Sequence, residues 1–242
     1  MALHFLTPDA AAAAVGDSVA LTGGEAKHAA VVRRLRVGEA VTLGDGAGTW
    51  LEGTAEEVAP SHVDIRIIAR AVHPKPARRI VLVQALAKGD RDELAVQAAC
   101  ELGVDEVVPW QAARSVSRWQ GPKAVKGRER WESIVREAAK QAHRAWVPEV
   151  SAPVTTAQLR QRAEAQRLLV LEPTASDRLS EVVADDRDIV LVVGPEGGIS
   201  PEELAQFDEA GAERVRLGDT VLRTSTAGPA AIALLSAALG RW

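Results

Sequence analysis

The chain has 242 residues, of which 47% are hydrophobic and 26% are charged. This composition is typical of a globular protein with one large or two small domains, and no apolar run approaches the length of a membrane span. The net charge of −4 excludes a chain that is polycationic throughout. Residues 111–147, however, contain 9 basic and 3 acidic side chains, and a local basic stripe on an acidic protein indicates a confined site for a polyanion.

Cysteine and histidine residues are few and widely spaced. The single cysteine, Cys100, excludes an internal disulfide and is expected to be a small buried side chain. The five histidines lack the spacing of metal ligands, so we expect no metal. The chain does not begin with the basic region of a signal peptide. Together with the presence of only one cysteine, this predicts a cytoplasmic location.

The first 72 residues indicate a small β-barrel. Short strands are predicted over 2–6, 18–21, 40–43, 50–57 and 62–68, with a hairpin turn over 44–48 and a short helix over 25–35. Arg33, Arg34 and Arg36 are candidate phosphate contacts, although each could equally be a solvated charge. Residues 73–79 contain two prolines and are predicted to form a linker.

From residue 80 the pattern changes to alternating strands and helices. Strands are predicted over 80–86, 106–110, 168–171, 189–193 and 214–217, which gives a sheet of about five parallel strands. Asp90 or Asp92 is expected to cap a helix that carries Leu94, Ala98 and Leu102 on its apolar face. The basic segment 114–126 is predicted to be a loop, followed by a helix over 127–145.

A glycine-rich turn follows the apolar strand Ile189–Val193. Residues 194–198 read Gly-Pro-Glu-Gly-Gly, where the missing Cβ atoms allow positive φ angles and close approach of the backbone. A helix is then predicted with Ser200 as N-cap, Pro201 at its first position and Glu203 completing a capping box.

A second loop, 218–226, follows the strand over 214–217 and precedes a final apolar helix from about Ala227. In open α/β sheets, ligands bind outside the carboxyl ends of the strands. The two loops therefore predict a pocket that holds a ligand through main-chain groups. Glycines such as Gly197 would let the backbone approach the ligand closely. The alternative is that they are tight turns that serve packing only. A Rossmann site is not favoured because the glycine loop comes late, and no Gly-Lys-[Ser/Thr] indicates a P-loop.

These two loops carry a resemblance to a known family. Gly194-Pro195-Glu196-Gly197-Gly198, followed by Leu217-Gly218-x-x-Val221-Leu222-Arg223-Thr224-x-Thr226-Ala227, closely resembles the C-terminal half of the RsmE family. Its members are 16S ribosomal RNA uridine-N3 methyltransferases of the SPOUT superfamily. Further matching motifs are Lys88-Gly89-Asp90-Arg91, Glu101-Leu102-Gly103-Val104 and Glu137-Ala138-Ala139-x-Gln141-x-x-Arg144-x-x-Val147-Pro148.

The chain departs from the family pattern in two places. Ser225 replaces an acidic residue of the last loop, and a lysine common before Glu101 is replaced within residues 97–100. We therefore assign no catalytic role to these positions.

The resemblance implies a fold and an organisation that the pattern alone does not give. The implied fold is α/β, with a C-terminal SPOUT domain that has a parallel sheet and a trefoil knot, preceded by a PUA-like RNA-binding β-barrel. The implied division is a barrel over 1–72, a linker over 73–79 and a methyltransferase domain over 80–242. The resemblance also implies a homodimer, S-adenosyl-L-methionine (SAM) as cofactor and 16S rRNA of the small ribosomal subunit as partner, with no membrane and no metal.

Site residues are carried over by position from the same resemblance. The implied cofactor-binding residues are Leu171, Glu172, Pro173, Gly194, Pro195, Glu196, Gly197, Gly198, Leu217, Gly218, Val221, Leu222 and Thr224. Arg223 is the candidate to stabilise a partly anionic uracil, and Glu196 is either a general base or a residue that orients a turn. The candidate contacts with substrate RNA are Arg33, Arg34, Arg36, Lys88, Arg91, Glu137, Gln141 and Arg144.

Several alternatives stay open at this point. Glu137, Gln141 and Arg144, spaced i, i+4, i+7, would share a helix stripe that either contacts RNA or is a solvated salt-bridge face. The function predicted first is methylation of uridine N3 in 16S rRNA. A SPOUT enzyme with another target, such as a ribose 2′-hydroxyl, and a non-catalytic RNA-binding module are the alternatives.

Overall fold

The structure is a computed structural model that describes residues 2–183 and 185–242. The chain forms two compact units, and each is described here by itself. The first unit consists of the residues up to 75 together with 139–147, and the second consists of 76–138 together with 148–242.

The first unit is built on a five-stranded sheet. Its elements are β1 (Leu3–Leu6), a 3₁₀ turn (Pro8–Ala11), β2 (Ser18–Thr22), α1 (Gly23–Lys27), a π-helical turn (His28–Val32), β3 (Ala40–Gly44), β4 (Thr49–Ala59) and β5 (His62–Val72). The strand order is β1-β3-β4-β5-β2. β1 pairs with β3 in parallel, and the other pairs are antiparallel.

Alternating burial explains why the sequence pattern locates these strands. Val63, Ile65 and Ile67 on β5 are at most 1% exposed, while the polar residues between them face outward. The predicted helix over 25–35 is shorter than expected, because the α-helix ends at Lys27 and continues only as the π-helical turn. Arg34 then adopts a positive φ of 54°.

The second unit is built on a six-stranded parallel sheet. Its elements are β6 (Ile80–Ala85), α2 (Arg91–Glu101), β7 (Glu106–Trp110), α3 (Pro122–Gln141), β8 (Glu149–Val150), α4 (Thr156–Arg160), a 3₁₀ turn (Gln161–Glu164), β9 (Arg167–Leu171), a 3₁₀ turn (Leu179–Glu181), β10 (Ile189–Val193), α5 (Pro201–Glu209), β11 (Glu213–Val215) and α6 (Thr224–Ala238). The strand order is β11-β9-β10-β6-β7-β8.

The centre of this sheet is β10, which lies between β6 and β9. All residues of β6 and β10 are buried, which explains why both strands are apolar except at Gln84 in β6. In the register, Val193 lies opposite both Leu171 and Gln84. The carboxyl ends of the three strands are therefore level, and their following loops emerge at one edge.

The structure corrects four details of the second unit. The sheet has six strands because the two-residue β8 was not predicted. In α2, Leu94 is 51% exposed, and the buried apolar positions are Ala95, Val96, Ala99 and Cys100. These small side chains allow α2 to pack closely against α6. α6 begins three residues earlier than predicted, at Thr224.

The fourth correction concerns α3, which begins at residue 122 and ends at Gln141, rather than spanning 127–145. His143 adopts a positive φ of 53°, a conformation that is incompatible with a continuing right-handed helix. Arg144 therefore lies outside the helix, and it does not share a helical stripe with Glu137 and Gln141. Among the described residues, no helix combines the length and apolarity needed to cross a membrane.

Candidate active site

A cavity of about 350 Å³ opens at the carboxyl ends of β9, β10 and β11. Three loops surround it, each of which directly follows one of these strands, and Arg91 at the start of α2 completes the rim. The lining residues are Arg91, Leu171, Glu172, Pro173, Val193, Gly194, Pro195, Glu196, Gly198, Ile199, Val215, Arg216, Leu217, Gly218, Thr220, Val221, Leu222, Arg223, Thr224 and Ala227.

The glycine loop after β10 is a tight turn held by its own backbone. The Gly198 N–H donates to the Pro195 carbonyl at 2.9 Å, and Gly198 has a φ of +71°, which favours glycine. A Cβ atom on Gly194 would lie 2.7 Å from Ile199 Cγ1, so this position has no room for a side chain. The turn leads into α5 through the capping box of Ser200 and Glu203, as predicted.

A buried polar chain connects the glycine loop with the start of α6. The Thr224 hydroxyl donates to the Gly194 carbonyl at 2.8 Å and accepts from Gln84 Nε2, also at 2.8 Å. Gln84 is fully buried, and Thr224 is 7% exposed. Because both loops line the cavity, these two hydrogen bonds fix their separation from inside the protein.

The loop after β9 is tied to the loop after β11. The Glu172 N–H donates to the Val215 carbonyl at 3.0 Å, and the Arg216 N–H donates to the Asp177 carbonyl at 2.9 Å. Leu179 closes the same segment through a bond from its N–H to the Arg216 carbonyl. All three loops around the cavity are therefore held in place by defined hydrogen bonds.

Two charged side chains at the cavity are placed very differently. Glu196 Oε1 accepts from the Lys88 backbone N–H at 3.0 Å and from Arg91 Nη1 at 3.2 Å, so this carboxylate holds the loop after β6. Arg223 is exposed at the N-cap of α6. Its guanidinium forms no hydrogen bond or ion pair with any residue in the described part of the chain, which leaves its donors available to a ligand.

Comparison with known proteins identifies the family. Residues 73–236 match the model of the RNA methyltransferase domain, and residues 21–68 match that of the RNA methyltransferase PUA domain. The ribosomal RNA small subunit methyltransferase E of Mycobacterium bovis is 42% identical over 97% of this chain and 90% of its own length. The Bacillus subtilis protein of the same name is 30% identical, over 89% and 88%. The chain belongs to the ribosomal RNA small subunit methyltransferase E family.

A solved structure of the family agrees in fold. The Neisseria gonorrhoeae methyltransferase E, crystallised with S-adenosyl methionine bound, superposes with a TM-score of 0.85 at 28% identity and covers 98% of both chains. The predicted family is thus confirmed, and so is the α/β fold with a parallel sheet and an N-terminal PUA domain. The trefoil knot stays a prediction.

Most residues that family resemblance assigned to the cofactor lie together in this methyltransferase fold. Twelve of the thirteen line the cavity, and the exception is Gly197. A Cβ atom on Gly197 would lie 3.3 Å from Arg114 Cβ, so its bare face is turned towards Arg114. The expectation that Gly197 admits the cofactor is therefore not supported by its placement. Arg216 lines the cavity but was not predicted, because β11 ends at Val215 and not at residue 217, so that Arg216 belongs to the loop.

The residues proposed to contact RNA are distributed over the two units. Arg33, Arg34 and Arg36 are exposed in the first unit, and Lys88 and Arg91 are exposed beside Glu196 in the second. Glu137 and Gln141 are exposed on α3, whereas Arg144 is half-buried beyond its end. Within residues 2–183 and 185–242, no group of three or more His, Cys, Asp or Glu residues could hold a metal ion.

Proposed function

We propose that this chain transfers the methyl group of SAM to N3 of a uridine in 16S rRNA of the small ribosomal subunit. The observation that carries the proposal is the cavity after β9, β10 and β11, whose lining includes twelve of the thirteen residues that the family resemblance assigns to the cofactor. The M. bovis relative is named for action on small-subunit ribosomal RNA. The N. gonorrhoeae structure has S-adenosyl methionine bound.

The residues present fit the cofactor in size and chemistry. A cavity of about 350 Å³ is within the range of small-molecule sites, roughly 300–1,000 Å³. Leu171, Val215 and Leu222 offer apolar contact to a purine ring, and Gly194 and Gly218 present bare backbone. When bound, the cofactor supplies an electrophilic methyl group on a positively charged sulfur.

The chain's own residues would act by alignment and by charge. Methyl transfer requires the uracil nitrogen, the methyl carbon and the sulfur to lie in line, and the connected loops around the cavity provide a fixed frame for this geometry. N3 must lose its proton, so negative charge develops on the uracil ring. The Arg223 guanidinium lines the cavity without an internal partner in the described chain, and it would stabilise that charge.

Glu196 is better suited to an anchoring role than to that of a general base. One of its oxygens already accepts hydrogen bonds from the Lys88 backbone and from Arg91. Removing the side chain would release the loop after β6 from the cavity rim. We therefore propose that Glu196 orients a turn and does not act as the general base.

Each unit offers basic candidates for contact with the RNA. Lys88 and Arg91 lie beside the cavity rim, and Arg33, Arg34 and Arg36 are exposed guanidinium groups in the PUA unit. Glu137, Gln141 and Arg144 complete the candidate contacts. We also propose a division into residues 1–72, 73–79 and 80–242, a trefoil knot in the last part and a cytoplasmic location.

We further propose that the protein is a homodimer. Leu94 on α2 and Leu234 on α6 are 51% and 41% exposed, on two helices that pack against each other. The proposal rests on the family resemblance, and a dimer interface over α2 and α6 would cover these two apolar side chains. Sedimentation equilibrium should give twice the mass of one chain; a monomer at all concentrations would contradict this.

Calorimetric titration with SAM tests the proposal against a non-catalytic RNA-binding module. We expect saturable binding of one cofactor per chain, and no heat of binding would favour the module. The position of the methyl group on the product nucleoside separates a uridine-N3 enzyme from one that acts on a ribose 2′-hydroxyl.

A further inference from the structure

The loop between β7 and α3, residues 111–121, is anchored by hydrogen bonds near both of its ends. It was predicted only as part of a basic segment. It contains Arg114 and Arg118 and no acidic residue. Both arginines are exposed.

The first anchor of this loop is a buried carboxylate. Glu203 on α5 is 5% exposed, and its Oε1 accepts from the Ala113 backbone N–H at 2.9 Å. The same oxygen accepts from the Thr156 hydroxyl at 2.8 Å, at the start of α4. Residue 113 is thus fixed to the helix that follows the glycine loop.

The second anchor holds residues 117–119, near the end of the loop. The Gln111 side chain forms two hydrogen bonds there: its Nε2 donates to the Ser117 carbonyl and its Oε1 accepts from the Trp119 N–H, both at 3.1 Å. The Trp119 ring packs on Gly127 of α3, where a Cβ atom would lie 2.5 Å from Trp119 Cε2, and it meets the Trp131 ring edge-on at 5.2 Å. The segment from 113 to 119 is therefore held at both ends.

Neither arginine of this loop forms an ion pair with a described carboxylate, although Glu202 lies near enough to Arg114 to interact with it electrostatically. In the described part of the second unit most arginines lie within 4.0 Å of a carboxylate, as Arg130 does with Glu93 and Arg187 with Asp185. Arg118 forms no ion pair or side-chain hydrogen bond with a described residue. Arg114 donates from Nη1 to the Gly197 carbonyl at 3.0 Å. Gly197 lies between Glu196 and Gly198, which both line the cavity.

We propose that loop 111–121 is a preorganised docking site for the phosphate backbone of the substrate RNA beside the cavity. Arg118 would bind a phosphate directly. Arg114 would use its remaining N–H groups for a neighbouring phosphate while Nη1 stays on Gly197, and so would set the distance between the RNA backbone and the cofactor loop. The identity of the RNA rests on the proposed function, whereas the docking of phosphate does not.

The physical basis is the low entropic cost of binding to a loop that is already ordered. Guanidinium groups bind phosphate through two parallel hydrogen bonds. Because the backbone that carries them is already fixed, less conformational entropy is lost on binding. Such contacts position the RNA without reading its sequence. Neutralising a phosphate also releases counterions, so each contact contributes about 0.7 to the slope of log affinity against log salt for a single strand.

The test is a salt titration of the binding of a fluorescent oligouridine to the full chain. We expect Arg118→Ala and Arg114→Ala each to reduce the slope by about 0.7, one phosphate contact of a single strand. The matched control is Arg187→Ala, which removes an exposed arginine that is paired with Asp185 and lies before β10, at the opposite edge of the sheet. Its slope should equal that of the wild type.

A second variant separates the order of the loop from its charge. Gln111→Leu removes both hydrogen bonds of the Gln111 side chain and no charge, so we expect weaker binding with a nearly unchanged slope. Unchanged slopes in both arginine variants would overturn the docking site. If the wild type binds oligouridine with the predicted arginine dependence but does not bind SAM, the proposed function fails and the docking site stands.

Discussion

Substitution of alanine for two glycines of the loop after β10 should affect SAM affinity at one position and not at the other. In Gly194→Ala the new Cβ would lie 2.7 Å from Ile199 Cγ1 and force the cavity wall to move. In Gly197→Ala it would lie 3.3 Å from Arg114 Cβ, outside the cavity lining. Calorimetry should show SAM affinity reduced by about tenfold or more in the first, a change of about 1.4 kcal/mol. Equal losses in both variants would contradict the geometry of the loop.

Thr224 is the residue whose hydroxyl joins two walls of the cavity. Thr224→Val preserves the shape of the side chain but leaves the Gly194 carbonyl and Gln84 Nε2 without this buried partner. We expect a loss of about 1–3 kcal/mol in the free energy of unfolding, together with weaker SAM binding. Thr224→Ser keeps the hydroxyl and serves as the control. A valine variant as stable as the serine variant would show that the bridge is dispensable.

His4 makes the stability of the first unit depend on pH. It is 6% exposed and stacks on Trp50 with ring centroids 4.3 Å apart. Burial, together with the charges of His143 and Lys140, lowers the pKa of His4 from 6.5 to about 4. The unfolded chain therefore binds the proton more readily than the folded one as pH falls below 6.5.

The contribution of this histidine is fully present above pH 6.5 and is lost as the pH falls towards 4. At pH 4 the loss amounts to about 3 kcal/mol of the free energy of unfolding. The measurement is the free energy of unfolding of the wild type and of His4→Phe, which keeps an aromatic ring on Trp50. The difference between the two proteins should change by this amount from pH 7 to pH 4, and a constant difference would refute the assignment.

At the scale of single elements, the N-terminus of α5 shows how local sequence decides local structure. Ser200 Oγ accepts from the Glu203 N–H at 3.2 Å, and Glu203 Oε2 accepts from the Ser200 N–H. Ser200→Ala should reduce the free energy of unfolding by about 1 kcal/mol, whereas Ser200→Gly should cost only a few tenths. Denaturant unfolding of the two variants provides the comparison, and equal stabilities would mean that the cap contributes nothing.

Elements defined by nearest-neighbour chemistry could be predicted from the sequence. The capping box at Ser200, the apolar run of β10 and the alternation in β5 all act within a few residues. The buried face of α2 could not be predicted, because packing against α6 rather than hydrophobicity buries Ala95 and Ala99 and leaves Leu94 exposed. The end of α3 was also missed, since the positive φ of His143 arises outside the helical pattern.

At the scale of the whole molecule, the sequence predicted the cavity better than its surroundings. The apolar pattern locates the strands that precede its loops, and the family resemblance then assigned the cofactor-binding residues of those loops by position. The contact between Gly197 and Arg114 could not be predicted, because the two residues are 83 positions apart in the sequence. Nor could the membership of residues 139–147 in the first unit, which depends on long-range contacts.

The proposed reaction can be measured as methyl transfer to small ribosomal subunits from a strain that lacks this enzyme. The purified chain and methyl-labelled SAM are added, the 16S rRNA is digested, and the labelled nucleoside is identified by mass spectrometry. We expect N3-methyluridine at a single position. Label on a ribose 2′-hydroxyl, or no label with a chain that binds SAM normally, would contradict it.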